Sequence, residues 1–570
     1  MPDSPDTDAH SAADSSSDRP AASSSAAGSV AAGIFASRIV GLLRERAIAY
    51  YFGVSAHADV LQVAFRAPNL LQNLLGEGTI SAAFIPIYSR MIEEGRTKEA
   101  GRFAGAIFGL LLVVAAGLAL LGIVLAEPIV MALAPGWIGD GTEVAAGIRS
   151  VNRFSLAVEA IRIIFPMAGV LVLSAWALGV LNSHRRFFVS YVAPVLWNVA
   201  IIAALAAGAY LVTGTPWTPS TLADDTLARL LMAACIGALV GGGLQFAVQL
   251  PFVAQHLQGF RVAISTRVAG VREAIAAFGP VVAGRGVAQL SSYLDQFLAS
   301  FLAVGALSAL RYAQLLYLLP ISLFGISVAA SELPELSRLT EERRTQFVGR
   351  LHRSLRQISF LTVPTVVGYL AFGSLLVGAL LRTGQFQAAG TWLVTIVLGG
   401  YALGILATTM SRLLQNAFYA AGDTKTPAQI AVVRVIVSTV VALPAMFAFD
   451  RFGVDAIVGR SLSGDPLFLG ALGLGLGATA GAWVEISLLL RALRNPLPSA
   501  SVPWRRIASM TGLAVAAGGP AAALWWMLPP TWPALVVAPL VVGTYAALYL
   551  GAAHALGFRE IEAWTARFFP

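Results

Sequence analysis

Residues 37–90 read SRIVGLLRERAIAYYFGVSAHADVLQVAFRAPNLLQNLLGEGTISAAFIPIYSR. Arg38, Arg44, Asp59, Arg66 and Glu77 stand there among Val, Leu, Ile and Phe. A charge at mid-bilayer costs at least about 2.5–3.5 kcal/mol, so such residues line a polar pathway or pair with one another. The second half of the stretch carries the sharper pattern. Asp59, Gln62, Arg66, Asn69, Asn73, Glu77 and Ser81 recur at steps of three and four. On one helix that gathers them in an arc of about 120°. A straight helix from Ala56 to Arg90 is on the order of 50 Å long, more than a bilayer core needs. Pro68 and the Gly76-Glu77-Gly78 triplet are the expected break points. The stretch predicts a bent, membrane-embedded helix whose polar stripe walls a hydrated cavity.

The rest of the chain agrees with a membrane setting. Of 570 residues, 57% are hydrophobic and only 12% charged, with a mean hydropathy of +0.75. A soluble domain carries about 25% charged residues, so composition predicts an all-α polytopic membrane protein. Apolar stretches of roughly 20 residues recur to the C-terminus, about fourteen in all, each long enough to cross a bilayer. Residues 1–28, rich in Ser, Ala and Asp, read as a disordered tail and not as a signal peptide. The one cysteine, Cys235, lies in an expected span. No zinc-protease, P-loop or nucleophile-elbow pattern occurs, and six scattered His make a metal site unexpected. An enzyme is therefore not expected, and neither is a cofactor.

The net charge of +8 reflects topology and not nucleic-acid binding. Basic residues cluster in alternate loops, as in Arg90, Arg96, Lys98 and Arg102, or Arg343, Arg344, Arg350, Arg353 and Arg356. The opposite loops hold only Arg149, Arg382, Arg451 and Arg460. By the positive-inside rule both termini are expected in the cytoplasm.

A weak internal repeat organises the spans. AAFIPIYSRM (82–91) resembles ASELPELSRL (330–339), aligning Pro86 with Pro334, Ser89 with Ser337 and Arg90 with Arg338. An even number of spans between the copies makes the repeat parallel. The expected plan is an N-lobe (29–256) and a C-lobe (257–500) of six helices each, around a central cavity. Two added helices follow in 501–570. In the first span, Arg38 and Glu45 are seven apart and share a face, so a simple pair is one reading; Gly41 permits a bend that brings Arg38 and Arg44 to one cavity. In the second lobe Arg285, Asp295 and Arg311 lie in apolar runs. Buried ion pairs that lock the helices are the competing account, but arginines outnumber the nearby acids and unpaired buried charge is costly. The excess points to an anionic guest, and guanidinium suits a diphosphate because it binds phosphate bidentately.

Several segments carry a family resemblance: SRIVGLLRE (37–45), ADVLQVAFRAPNLLQNLLGEGTISAAFIPIYSR (58–90), GVLNSHRRFFVSYVAPVLWN (179–198), LQFAVQLP (244–251), LDQFLASFL (294–302), YAQLLYLLPISLFGISVAASELPELSR (312–338) and AFYAAGDTKTP (417–427). In order and spacing, from about residue 30 to 450, they resemble the MurJ (MviN) family of the MOP exporter superfamily. Beyond 450 only the hydrophobic pattern agrees. The resemblance implies a fourteen-helix flippase that moves lipid II, the undecaprenyl-diphosphate-linked peptidoglycan precursor, from the inner to the outer leaflet of the bacterial cytoplasmic membrane. It matches the family's functional residues to Ser37, Arg38, Arg44, Asp59 and Glu77. Many members carry an arginine after PNLL, where this chain has Gln72-Asn73, and another where it has Leu315. Arg311 and Arg285 are the expected replacements.

The expected substrate contacts are thus Ser37, Arg38, Arg44, Asp59, Arg66, Asn73, Glu77, Arg285 and Arg311. Alternating access between the lobes is the expected mechanism, in a monomer among membrane lipids, with wall-synthesis proteins as candidate partners. In the family the last two helices are thought to form a groove for the prenyl tail. A monovalent cation or proton would drive transport, with Asp295, Asp423 and Thr439 as candidate sites. A flippase for another polyprenyl-linked saccharide, and a non-transporting scaffold for cell-wall synthesis, remain as alternatives.

Overall fold

A computed structural model of the chain describes residues 21–217, 222–326, 344–459, 462, 466–494 and 501–561. Among them the first half forms α1 (Ala21–Phe52), α2 (Ala56–Leu75), α3 (Glu77–Ala83), α4 (Ile85–Glu93), α5 (Thr97–Val124), α6 (Ala126–Leu133), α7 (Asp140–Ala145), α8 (Arg153–Ile164), α9 (Pro166–Ser183), α10 (Phe187–Thr213) and α11 (Asp224–Ala254). The second half forms α12 (Val271–Ala299), α13 (Ala306–Pro320), α14 (Arg344–Leu381), α15 (Ala388–Ala420), α16 (Lys425–Phe449), α17 (Val454–Val458), α18 (Gly470–Arg494), α19 (Trp504–Met527) and α20 (Ala534–Ala555).

Among the described residues, eleven helical stretches are long and apolar enough to cross a membrane. The expected count of fourteen is not established by that criterion, and the reason is physical. The described residues of α1 carry Arg38, Arg44, Glu45 and Arg46, and α2 carries its polar stripe. Both lie outside the eleven. Helix α12 lies outside the eleven as well, so polar content accounts for α1 and α2 alone.

The break expected near Gly76 is present. Gly76 ends α2 and precedes α3, and Phe84 separates α3 from α4 just before Pro86. Pro68 remains inside α2. No interruption occurs at Gly41, and α1 runs unbroken. The second copy of the expected repeat, residues 330–339, lies outside the described residues.

Packing explains the overall shape. One apolar core joins both halves and includes Phe52, Leu61 and Trp137 from the first with Leu307, Phe386 and Leu393 from the second. Phe52, Leu61, Leu307 and Leu393 lie toward the arginine-poor ends of their helices, and Phe386 in the loop between α14 and α15. Two further clusters flank it. Phe84, Phe103 and Trp176 belong to a cluster built mainly from the first half. Leu355, Leu413 and Leu489 belong to another, on α14, α15 and α18–α20. At the arginine-rich end the halves still meet through the start of α12, where Val271 and Ala274 join the first-half cluster and Arg90 pairs with Glu273 at 2.9 Å.

Two glycines allow the fusion. Gly53 (φ +59°) and Gly384 (φ +56°) lie where the α1–α2 turn meets the α14–α15 loop. A Cβ on Gly53 would come within 2.4 Å of the Gln385 carbonyl oxygen, and one on Gly384 within 2.3 Å of that of Tyr50. The Gln385 N–H donates to the Tyr50 carbonyl at 2.8 Å. Helix α12 packs against α2 and α3 of the first half as well as α13 and α18 of the second, so it bridges the two.

Candidate functional site

Between the halves lies a cavity of about 730 Å³. Helix α2 forms one wall, as its periodicity predicts: Gln62, Arg66, Asn69 and Asn73 face the cavity, joined by Gln72. Helix α1 contributes Ser37, Gly41, Arg44 and Glu45. From the second half come Tyr293, Asp295, Arg311, Gln314, Tyr401 and Arg434.

The cationic groups are held in place by identifiable partners. Arg44 donates to Asn198 Oδ1 at 3.0 Å and to Glu45 Oε1 at 2.6 Å, and its guanidinium lies 4.8 Å from the Trp197 ring centroid. Arg66 lies over Tyr293 at 4.9 Å, while the Tyr293 hydroxyl donates to the Arg66 carbonyl at 3.2 Å. Arg311 reaches Glu45 Oε1 at 3.3 Å. Glu45, only 4% exposed, therefore joins α1 to α13 across the cavity. Its partners are Arg44 and Arg311 and not Arg38, correcting the simple helical pair that spacing allowed. Among the described lining residues four arginines (Arg44, Arg66, Arg311 and Arg434) face two acids, Glu45 and Asp295. The site is a preorganised basic chamber, and planar guanidiniums stacked on aromatic rings match the bidentate geometry of phosphate oxygens.

Other expected contacts are placed elsewhere. Arg38 is exposed and does not line the cavity. Asp59, 1% exposed, is turned away from it. Its carboxylate accepts the Gly305 N–H at 2.7 Å and the Ser308 N–H at 2.8 Å. Those are orphan amides at the start of α13, where a helix terminus favours negative charge. Asp59 thus ties the halves together at the arginine-poor end, with Tyr312 Oη donating to the Gly53 carbonyl beside it at 3.3 Å. The side chains of Glu77 and Arg285 lie outside the described residues.

Of the three candidate ion residues, two come together. Asp295 accepts from Gln314 Nε2 and from Tyr401 Oη, both at 3.4 Å. It shares a small cavity of about 100 Å³ with Thr439 and Arg434. Asp423 does not join them. It is partly exposed, and its Oδ1 accepts the Lys425 and Thr426 N–H groups at the start of α16. Hydrogen bonds from Thr426 hold its carboxyl below the usual range.

Sequence reasoning missed Asn198, Trp197, Tyr293, Gln314, Tyr401 and Arg434. Aromatic and amide residues inside apolar helices look like ordinary core. Arg434 had a signal, a lone arginine in AVVRVIV (431–437). Its partner is distant: Arg434 donates to the buried Glu485 at 2.8 Å, and Gln415 donates to the same carboxylate at 2.9 Å.

The family model for lipid II flippase MurJ matches residues 48–545. The chain belongs to the MurJ family. The match reaches well past residue 450, where the visible motifs end. A protein named lipid II flippase MurJ from Burkholderia cenocepacia is 32% identical over 462 residues, covering 80% of this chain and 84% of its own. A probable lipid II flippase MurJ from Rhizobium tropici is 31% identical, covering 71% and 72%. The fold is that of a solved lipid II flippase MurJ in an inward closed conformation, with a TM-score of 0.67 at 22% identity over 92% of this chain and 99% of that one. An inward-facing MATE multidrug resistance transporter of the MOP superfamily shares it more loosely, with a TM-score of 0.55 at 15% identity over 80% and 94%. The residues Ser37–Arg46, which include Arg44 and Glu45, lie just before the span of the MurJ match.

Proposed function

We propose that this MurJ-family protein translocates lipid II from the inner to the outer leaflet of the bacterial cytoplasmic membrane by alternating access. The observation that carries this reading is the surplus of guanidinium groups in the cavity, with Arg44, Arg66 and Arg311 facing one space from both halves. A diphosphate headgroup entering there replaces water around three fixed cations and makes charge-assisted hydrogen bonds to them. The amides of Gln62, Asn69 and Asn73 on the same wall suit sugar hydroxyls. The surplus disfavours a cationic drug as cargo. A guest that bridges the arginines of both halves couples binding to their relative movement, while the prenyl tail stays in lipid.

Transport against a gradient needs an energy source, and Asp295 is the proposed coupling carboxylate. The fixed charge of Arg434 in the same small cavity favours a proton over a metal cation there. The protein acts as a monomer in this scheme, with both termini cytoplasmic by the loop-charge count.

The direct test is expression in a bacterium depleted of its own flippase, with lipid II exposed on the outer leaflet as the readout. Restored exposure that Arg44→Ala abolishes at matched expression is the expected result. No restoration by well-inserted protein would overturn the lipid II reading and turn attention to another polyprenyl-linked saccharide or to a scaffold role.

A further inference from the structure

A second basic cavity, sharing no lining residue with the first, lies at the arginine-rich ends of α14, α19 and α20. It measures about 750 Å³ and is lined by Arg356, Trp504, Arg505, Arg506 and Arg559. Arg506 is fixed: it donates to Glu560 Oε2 at 2.8 Å, and its guanidinium lies 3.8 Å from the Phe558 centroid. Arg356 approaches the same glutamate at 3.7 Å. Arg505 and Arg559 are exposed and have no ion-pair partner among the described residues. Four arginines thus converge against one described carboxylate.

Topology alone does not require this. The positive-inside rule asks only that arginines sit in loops on one side, not that residues about 200 positions apart in sequence meet in one concavity. Arg505 and Arg506 also stand in the first turn of α19, where the helix dipole is unfavourable to cations and favourable to an anion. Trp504, half exposed, provides the amphipathic ring typical of the headgroup level. Leu548 and Leu556 expose apolar surface at the same end of α20.

We propose that this cavity binds the phosphodiester headgroup of an anionic phospholipid of the cytoplasmic leaflet, with Arg505 and Arg559 supplying the free guanidiniums and Arg506 and Arg356 the preset ones. The lipid acts as a peripheral clamp on α14, α19 and α20, separate from the cargo in the central cavity. Phosphate chemistry is shared by lipid and free anion. Location at the bilayer edge, beside an exposed tryptophan and leucines, favours the lipid.

The test is thermal unfolding of the purified full-length protein in detergent, titrated with phosphatidylglycerol, phosphatidylcholine or inorganic phosphate. Phosphatidylglycerol is expected to raise the unfolding temperature by several degrees, with little effect from the other two. The Arg505→Gln/Arg559→Gln protein is expected to lose more than half of that shift. Arg505→Lys/Arg559→Lys, which keeps charge but not bidentate geometry, is expected to retain an intermediate shift and guards against a folding defect in the glutamine pair. Arg185→Gln/Arg186→Gln, in a distant loop of the same face, is expected to retain the full shift. An undiminished shift in the Arg505/Arg559 variants, an equal loss in the Arg185/Arg186 control, or equal stabilisation by inorganic phosphate would each overturn the proposal. None of these readouts depends on lipid II transport.

Discussion

Asp59 and Arg66 stand seven residues apart on one face of α2, yet one belongs to an interface at the arginine-poor end and the other to the central cavity. Asp59 is satisfied by the protein itself, through two amides at the start of α13. Arg66 lies over the Tyr293 ring, which orients its guanidinium in the cavity wall. The first arrangement closes an interface, whereas the second presents a guanidinium to the cavity. A buried charge in a membrane helix is therefore not a uniform sign of a binding site. Its partners decide whether it locks the fold or receives a guest.

The largest test of this contrast is removal of a cavity cation. Arg44→Ala deletes a charge-assisted contact to the guest, and such contacts contribute about 1.5–3 kcal/mol, so lipid II exposure is expected to fall roughly tenfold or more. Unchanged exposure at equal expression would break the distinction. Asp59→Asn acts at the other end. Its amide cannot accept both N–H groups, and the closed interface loses about 1–3 kcal/mol. The readout is labelling of an Ala306→Cys probe, buried beside the latch, by an impermeant maleimide added from the arginine-poor side. Faster labelling in the Asp59→Asn background is expected; the native Cys235 is itself buried and adds little background.

Glu45 sharpens the comparison, because it sits in the cavity but behaves partly as a lock. A double-mutant cycle of Glu45→Gln and Arg311→Gln, read by thermal stability, is expected to show coupling of about 0.5–1 kcal/mol, since Arg311 is one-third exposed. Zero coupling would make Arg311 purely a substrate contact.

A smaller effect concerns pH. His184, in the loop after α9, stacks on His256 with centroids 4.2 Å apart, and its Nε2 lies 3.1 Å from Tyr88 Oη. Burial first, and the neighbouring His256 second, hold His184 below the usual imidazole range. The folded state thus binds fewer protons than the unfolded one in this window. The contribution is fully present above the ordinary imidazole value and is lost as pH falls through the depressed one. Thermal stability is expected to decline on acidification below about pH 6.5, less steeply in a His184→Gln protein. The smallest effect is expected from Asp423→Ala, which removes acceptors for two N–H groups at the start of α16 and should leave transport unchanged. A transport defect there would make Asp423 a coupling residue after all.

Much of the site is legible in the sequence alone. The three- and four-residue steps of Gln62, Arg66, Asn69 and Asn73 require a helix with one polar wall, and in a chain this apolar that wall has to face inward. The same steps also include Asp59, whose partners are 246 and 249 residues away. No local pattern announces such a contact. Tyr293, Tyr401 and Trp197 escape a sequence reading because an aromatic ring in a span satisfies lipid, core or cavity equally well, and only packing decides among them.

By itself the sequence determined the membrane setting, the helices, the surplus of arginine over acid and the motifs that mark the family, because these follow from composition and short-range periodicity. The tertiary structure decided which charges pair, which face the cavity and where the halves meet. Those outcomes depend on helices distant in sequence approaching to hydrogen-bond distance, where the balance between desolvation and pairing is set.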